Sequence, residues 1–588
     1  MHRSFKKLTN VLVVTALVAL TGCNSHPDRD ADTLSIAFNG APLNAGPGFS
    51  SSQYSSALVL ASYQTLFEYR YLKRPLELVP SLAADWPVVT DGGKTLDITL
   101  VEDARFSDDP VFDQGIGRTV TATDVAYSLL RHFDTSTKAR GRSEWRDLIV
   151  GITEWSGDYQ QPPSGIEVID DRTIRFRLTS PSPIFLHKLA THNSVIVPRE
   201  AEEAYGEKLG HHSVGSGPYQ LESLGSQRAV LTRNPNYQPR RFNLDEVGFD
   251  EARDGADYRQ LEGQFLPITD RIVVHFIEQM MARWITFDNG DLDVIPVTDR
   301  FLADRASPKN PSERSAELAN RSRLVLGDRT QVSLIRVRMD DADLGFVSDP
   351  VKNQRNTRLR CAIRDALDPT DRNRLFFEGR ALALNGVIAA TLPEFTANDY
   401  VISGPPSPAA TDVFLALAEE ADLPEIRVGY KQSPINADGF TWLENRLIAA
   451  GYPRELIEAK TYATFGEYIN STHDGKHQIS TVGWTLAYPD VENNLQLFYG
   501  PNRSPGVNLG NYQNERYDAL FERIRSMSPS QERSRLVKEM NALLWEDCAF
   551  FSSLSPLVPM LVQRQVIGKP DRSAVMDGRY FKYLGKNQ

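Results

Sequence analysis

The chain has 588 residues, 41% of them apolar, with 35 prolines and a formal net charge of −11. Such a composition belongs to a globular α/β protein rich in loops and excludes a disordered chain, while the length exceeds one compact core, so two or three bodies are expected. Net acidity without any basic run excludes nucleic acid as a partner.

The first element is an export signal. Arg3, Lys6 and Lys7 precede an apolar run over 11–20. At about ten residues the run is half of the roughly 20 that span a bilayer, and it is a normal length for the hydrophobic part of a secretory signal peptide. Leu20-Thr21-Gly22-Cys23 follows and resembles a bacterial lipobox, in which small residues admit the backbone to the peptidase and the cysteine thiol receives the lipid. Residues 1–22 are therefore read as a lipoprotein signal peptide, Cys23 as the lipidated first residue, and 23–32, polar and containing Pro27, as a tether. No later apolar stretch approaches transmembrane length, so the expected state is anchored to a membrane, on the periplasmic or extracellular face of the cell envelope, and not threaded through it.

The folded part opens with Thr33-Leu34-Ser35-Ile36-Ala37-Phe38, whose polar–apolar alternation predicts a half-buried strand. Residues 57–71 allow a helix ending near Pro75, with Tyr54 and Tyr63 read as packing residues. Residues 95–100 and 105–108 read as a hairpin around an acidic turn. A helix is expected over 125–133, capped by Thr123 or Asp124. Residues 166–178 form a hairpin around Asp170-Asp171. Gly215-Ser216-Gly217-Pro218 predicts a tight turn before a strand, and Asn234-Pro235-Asn236-Tyr237 closes the next strand. Further on come a strand at 272–276, a short helix at 282–287 with the step Gly290-Asp291-Leu292-Asp293 behind it, and a helix over 358–368 with Leu359, Ala362, Ile363 and Ala366 on one face.

These segments, in this order, resemble the periplasmic dipeptide- and oligopeptide-binding proteins, extracellular solute-binding protein family 5. The resemblance rests on LVPSLAADW (78–86), LDITLVEDARFSD (96–108), VTATDVAYSLLR (120–131), the 215–219 and 231–237 turns, Gly290 to Asp293, the 358–368 helix, Gly483-Trp484-Thr485, and Asn511 to Asp518. It implies a two-lobed α/β fold of the type II periplasmic-binding-protein class, with an additional subdomain in lobe I and the ligand held between lobes that close by a hinge. The expected division is lobe I over 33–75, 205–305 and 535–588, the subdomain over 76–204, and lobe II over 306–534, with the turn-rich stretch 307–312 at the first boundary. Cys361 and Cys548 then fall on different lobes, so a disulfide between them is not the expectation.

The resemblance also implies a function: capture of a peptide or peptide-like solute and its delivery to an ABC permease and ATPase complex, by a monomer without cofactor or metal and without catalysis. Members with Gly-Trp-x-x-Asp use the aspartate to pair with a peptide's α-ammonium. Here Ala487 stands at that place and cannot pair; Asp490, three residues on, is the remaining acid. The ligand-binding candidates are Trp484, Thr485, Ala487, Tyr488 and Asp490, with Asn493 and Asn494 behind them. The alternative is a lipid-anchored receptor for a non-peptide ligand, such as an oligosaccharide or metal complex, without a transport role. Other chemistry fits poorly. Asp288 to Asp293 places its glycine third, where a calcium loop needs it sixth. His211-His212 has no partner at ligand spacing, and neither a Gly-x-Ser-x-Gly elbow nor His-Glu-x-x-His occurs.

Overall fold

The strand expected at the start forms over Thr33–Phe38, in the computed structural model that describes residues 32–587 except 43, 50–51, 138, 140, 298–315, 398–400, 402–408, 421, 558 and 570–576. The signal peptide, Cys23 and the stretch 307–312 lie outside the described residues. All six residues of the strand are buried, which corrects the half-buried reading. It runs parallel to both Arg271–Phe276 and Val294–Pro296, and strands in such a position are covered on both faces. Thr33 and Ser35 are interior polar residues, and the Ser35 N–H donates to Asp293 Oδ2 at 2.7 Å. The acid of the Gly290-to-Asp293 step, also 2.8 Å from Lys586 Nζ, is thus a buried anchor for the first strand.

The first sheet has seven strands, in the order Ser322–Leu326, Pro559–Gln563, Val294–Pro296, Thr33–Phe38, Arg271–Phe276, Arg228–Arg233, Tyr219–Leu224. Helix Gln53–Ser62 packs beneath it and is shorter than expected, because the chain turns at Tyr63 into a strand, Phe67–Tyr69. Gly215 and Gly217 meet the end of this helix. A Cβ on either would lie 2.1 or 2.5 Å from the carbonyl of Ser62, so close approach, more than turn geometry, requires glycine at both.

The subdomain is a four-stranded antiparallel sheet, Val88–Thr90, Thr95–Thr99, Thr173–Arg177, Ile166–Val168, with its own core. The 166–178 hairpin forms as expected. The 95–108 hairpin does not: Thr95–Thr99 pairs with Val88–Thr90 and Thr173–Arg177, and Arg105 makes only a bridge to Thr119. Helix Ala122–Leu130 is capped two or three residues earlier than expected, by Thr121 with Asp124 acting reciprocally.

The second sheet has six strands: Leu382–Leu384, Phe550–Ser555, Gln331–Val337, Ile479–Thr485, Ile426–Lys431, Ile457–Tyr462. The chain passes between the two sheets twice, between Leu326 and Gln331 and between Ser555 and Pro559. Both expected boundaries are therefore corrected. Ser322–Leu326 still belongs to the first sheet, and helix Gln531–Glu546 with strand Phe550–Ser555 belongs to the second lobe. Periodicity predicts strands but not which sheet takes them. With this assignment Cys361 and Cys548 share a lobe, and they form a disulfide at a Cα separation of 5.3 Å. It fastens helix Pro350–Ala366 to the turn before Phe550–Ser555, where Arg360 and Arg364 also donate to the carbonyls of Asp547 and Trp545. Among the described residues no helix is long and apolar enough to cross a membrane.

Candidate functional site: the cleft between the lobes

The two crossings bring together the carboxyl ends of the parallel strands of both sheets. Phe38 and Phe276 end one side; Lys431, Tyr462 and Thr485 end the other. Crevices at the carboxyl ends of parallel strands are where open α/β sheets hold ligands. On the first side Tyr54 stands half-buried against Phe38, its hydroxyl donating to Asn39 Oδ1 at 3.0 Å. Tyr63 is fully buried and its hydroxyl accepts from the N–H of Val214, a packing role.

The opposite side is built by the segment that leaves strand Ile479–Thr485. Trp484 is half-buried against the core of the second lobe and donates from Nε1 to Asn493 Oδ1 at 2.9 Å. The same oxygen accepts from the backbone N–H of Ala487 at 3.3 Å, so one amide side chain fixes both the indole and the loop. Thr485 Oγ1 accepts from Gln331 Nε2 at 3.4 Å across the two strands. Ala487 is exposed. Asn494 instead accepts from the N–H of Ala389 and serves packing.

Asp490 does not stand in for the missing acid at 487. It is 7% exposed, and its Oδ1 lies 2.5 Å from Arg533 Nη2, whose other arm reaches Glu394 Oε1 at 2.6 Å. Arg533 is itself fully buried. Burial acts against its charge, but Asp490 and Glu394 on either side more than offset this and hold its pKa above the ordinary value. A buried guanidinium shared by two carboxylates is an internal fastening, and Asp490 belongs to it.

Tyr488 faces the subdomain and not solvent. It is 3% exposed; its hydroxyl donates to Glu492 and accepts from Lys188 Nζ at 3.3 Å, with the ammonium 5.2 Å from the ring centroid. Burial, with the Glu492 carboxylate beside it, pushes the Tyr488 hydroxyl well above its usual pKa, so it stays a neutral donor. Lys188 crosses from the subdomain helix Phe185–Lys188. It is the contact the sequence reading missed; its only outward sign is a lysine inside the apolar run Ile184-Phe185-Leu186-His187-Lys188-Leu189-Ala190.

Two α/β lobes joined by two crossings define the fold of the periplasmic binding-protein type. A family model described as bacterial extracellular solute-binding proteins, family 5 (middle part) matches residues 77–506, and the chain belongs to that family. It is 22% identical over 559 residues to the dipeptide-binding protein of Escherichia coli K12, covering 92% of each chain. Among solved structures it is similar to Helicobacter pylori DppA in complex with the peptide STSA, with a TM-score of 0.73 at 18% identity over 94% of this chain and 98% of the other. A second similar structure is AgaA of A. tumefaciens R10 in complex with agropinic acid, with a TM-score of 0.71 at 18% identity over 95% and 99%. The family consists of binding proteins and not of enzymes.

Proposed function

We propose that this protein is the substrate-binding component of an ABC importer, capturing a peptide or peptide-like solute between its lobes and presenting it to a permease. Membership of family 5 over most of the chain is the observation that carries this reading. Trp484, Thr485 and Ala487 are assigned to the solute-facing wall, Tyr488 to the seam with the subdomain, and Asp490 to the support beneath. The leader and Cys23 support a lipid anchor at the periplasmic or extracellular face of the cell envelope, and the protein is taken to act as a monomer. A disulfide within lobe II suits an oxidising compartment.

A second reading, a solute without a free amino terminus, is favoured by one observation: the wall carries Ala487 at the place of an acid, and the nearest acid along the chain, Asp490, is paired with Arg533. A buried ammonium left without a carboxylate is unfavourable by about 3–5 kcal/mol. Native mass spectrometry of the soluble form (Ser25 onward), purified from rich medium, tests both. A co-purifying series of peptides supports peptide import. A single non-peptide mass supports the second reading. A clean apo mass with no shift on adding a peptide library overturns the peptide assignment.

A further inference from the structure

Beside the Lys188–Tyr488 contact a cavity of about 290 Å³ lies between the subdomain and lobe II. Its floor and walls include Lys188, Glu492, Arg525, Glu522, Arg146 and Asp147. It is lined by subdomain residues 146–148 and 179–182 on one side and by lobe II residues 492–526 on the other, so whatever fills it touches both bodies at once.

The hydrogen-bonding capacity left over in this cavity is cationic. Lys188 is 5% exposed, and an ammonium has three N–H donors. One of these reaches Tyr488 Oη, and among the described residues Lys188 forms no ion pair. The two lobe II acids that line the cavity, buried Glu492 and exposed Glu522, already have donors. Glu492 accepts from the Tyr488 hydroxyl and lies 3.9 Å from Arg525 Nε; Glu522 accepts from the Tyr499 hydroxyl and lies 3.3 Å from Arg525 Nη1. At the rim Arg146 has no acidic partner among the described residues. Arg146 and the opposing charge beside it, Asp147, are both exposed, where water and salt screen them alike, so the buried Lys188 is the main receiver. A buried ammonium with unused donors is costly until something accepts from them.

We infer that this cavity is a subsite for an anionic group, a carboxylate or a phosphate, received by Lys188 from within and by Arg146 at the rim. Both receivers belong to the subdomain, while the facing lobe II wall contributes Glu492, Glu522 and Arg525, so the subsite is assigned to the subdomain side of the seam. The inference rests on the solute-binding reading and gives it a chemistry: the part of the solute, or the co-bound ion, that reaches this seam is negative.

Titration calorimetry of the soluble protein with acetate and with inorganic phosphate, at constant ionic strength set by chloride, tests it. The expected result is saturable millimolar binding of at least one anion, and the preferred one separates carboxylate from phosphate. Lys188→Met weakens that binding tenfold or more, Arg146→Gln about threefold, and Asp147→Asn strengthens it. Should Lys188→Met fail to fold, the exposed rim variants Arg146→Gln and Asp147→Asn decide, since their effects have opposite signs. Absence of saturable binding, or affinities unchanged in these variants, overturns the subsite. Because the mass-spectrometric assay reads solute capture separately, a captured solute together with anion indifference sinks this inference alone.

Discussion

At the scale of single residues the second lobe depends on charges that never meet solvent. Arg533 holds Asp490 and Glu394 together in the interior, and removing one partner of such a group leaves uncompensated buried charge. Arg533→Met is therefore expected to destabilise lobe II by about 3–5 kcal/mol, read as a fall in denaturant midpoint. Asp490→Asn should lower stability while leaving solute affinity unchanged in the fraction that folds. His132 is a residue-scale pH sensor of a plain kind. Its Nε2 lies 2.7 Å from the Asn193 carbonyl and its Nδ1 accepts from the Gly141 N–H at 3.1 Å, an arrangement that suits only the neutral ring. Burial first, and Arg131 beside it second, depress its pKa to about 3. Unfolding restores the ordinary value near 6.5, so between those values the unfolded chain binds more protons and stability falls as pH falls. The loss amounts to on the order of 3 kcal/mol by pH 4. Thermal melts from pH 7 to 4 should show this slope in the wild type and a shallower one in His132→Gln, which keeps a donor and an acceptor but does not titrate.

At the scale of elements, local signals were readable and long-range pairings were not. The 166–178 hairpin carries its turn inside its own sequence and formed as read. The 95–108 hairpin failed because Thr95–Thr99 finds better partners in Val88–Thr90 and in Thr173–Arg177, more than seventy residues away. Likewise nothing local assigns helix Gln531–Glu546 and strand Phe550–Ser555 to the second sheet, and the sequence reading places 535–588 with lobe I. Their misplacement by itself hid the Cys361–Cys548 disulfide. That bond closes a span of 187 residues, which in the chain-entropy view contributes about 5 kcal/mol, with about 2–5 typical of native bridges. Calorimetry with and without dithiothreitol should show the lobe II transition moving down on reduction, while the transition of the separately cored subdomain stays in place. A single transition unmoved by reduction would show the bond adds nothing that helix Pro350–Ala366 does not already supply.

At the scale of the whole molecule, the candidate wall was legible as a stretch, residues 484–490, and illegible in its wiring. Sequence order suggests that Trp484, Tyr488 and Asp490 face one ligand. Instead the backbone turns them toward three places: Asn493, the subdomain, and Arg533. No periodicity encodes the direction of a loop that is held by an asparagine nine residues from the indole. The turn toward the subdomain has the widest consequence, since Lys188, Tyr488 and Glu492 join the subdomain to lobe II, bodies that separate for solute entry under the proposed function. Tyr488→Phe removes the hydroxyl that accepts from Lys188 and donates to Glu492, and leaves a buried ammonium facing an aromatic ring alone. A hydrogen bond to a charged group contributes about 1.5–3 kcal/mol, so the closed population should drop roughly ten- to a hundredfold relative to the open one. Small-angle scattering of the solute-free protein should then give a larger radius of gyration for Tyr488→Phe than for the wild type, converging when the co-purified solute is restored at saturation. Equal radii in the solute-free state would mean that the two lobes are held together by the crossings and the Arg74–Asp328 ion pair, and that the Lys188 contact follows closure without favouring it.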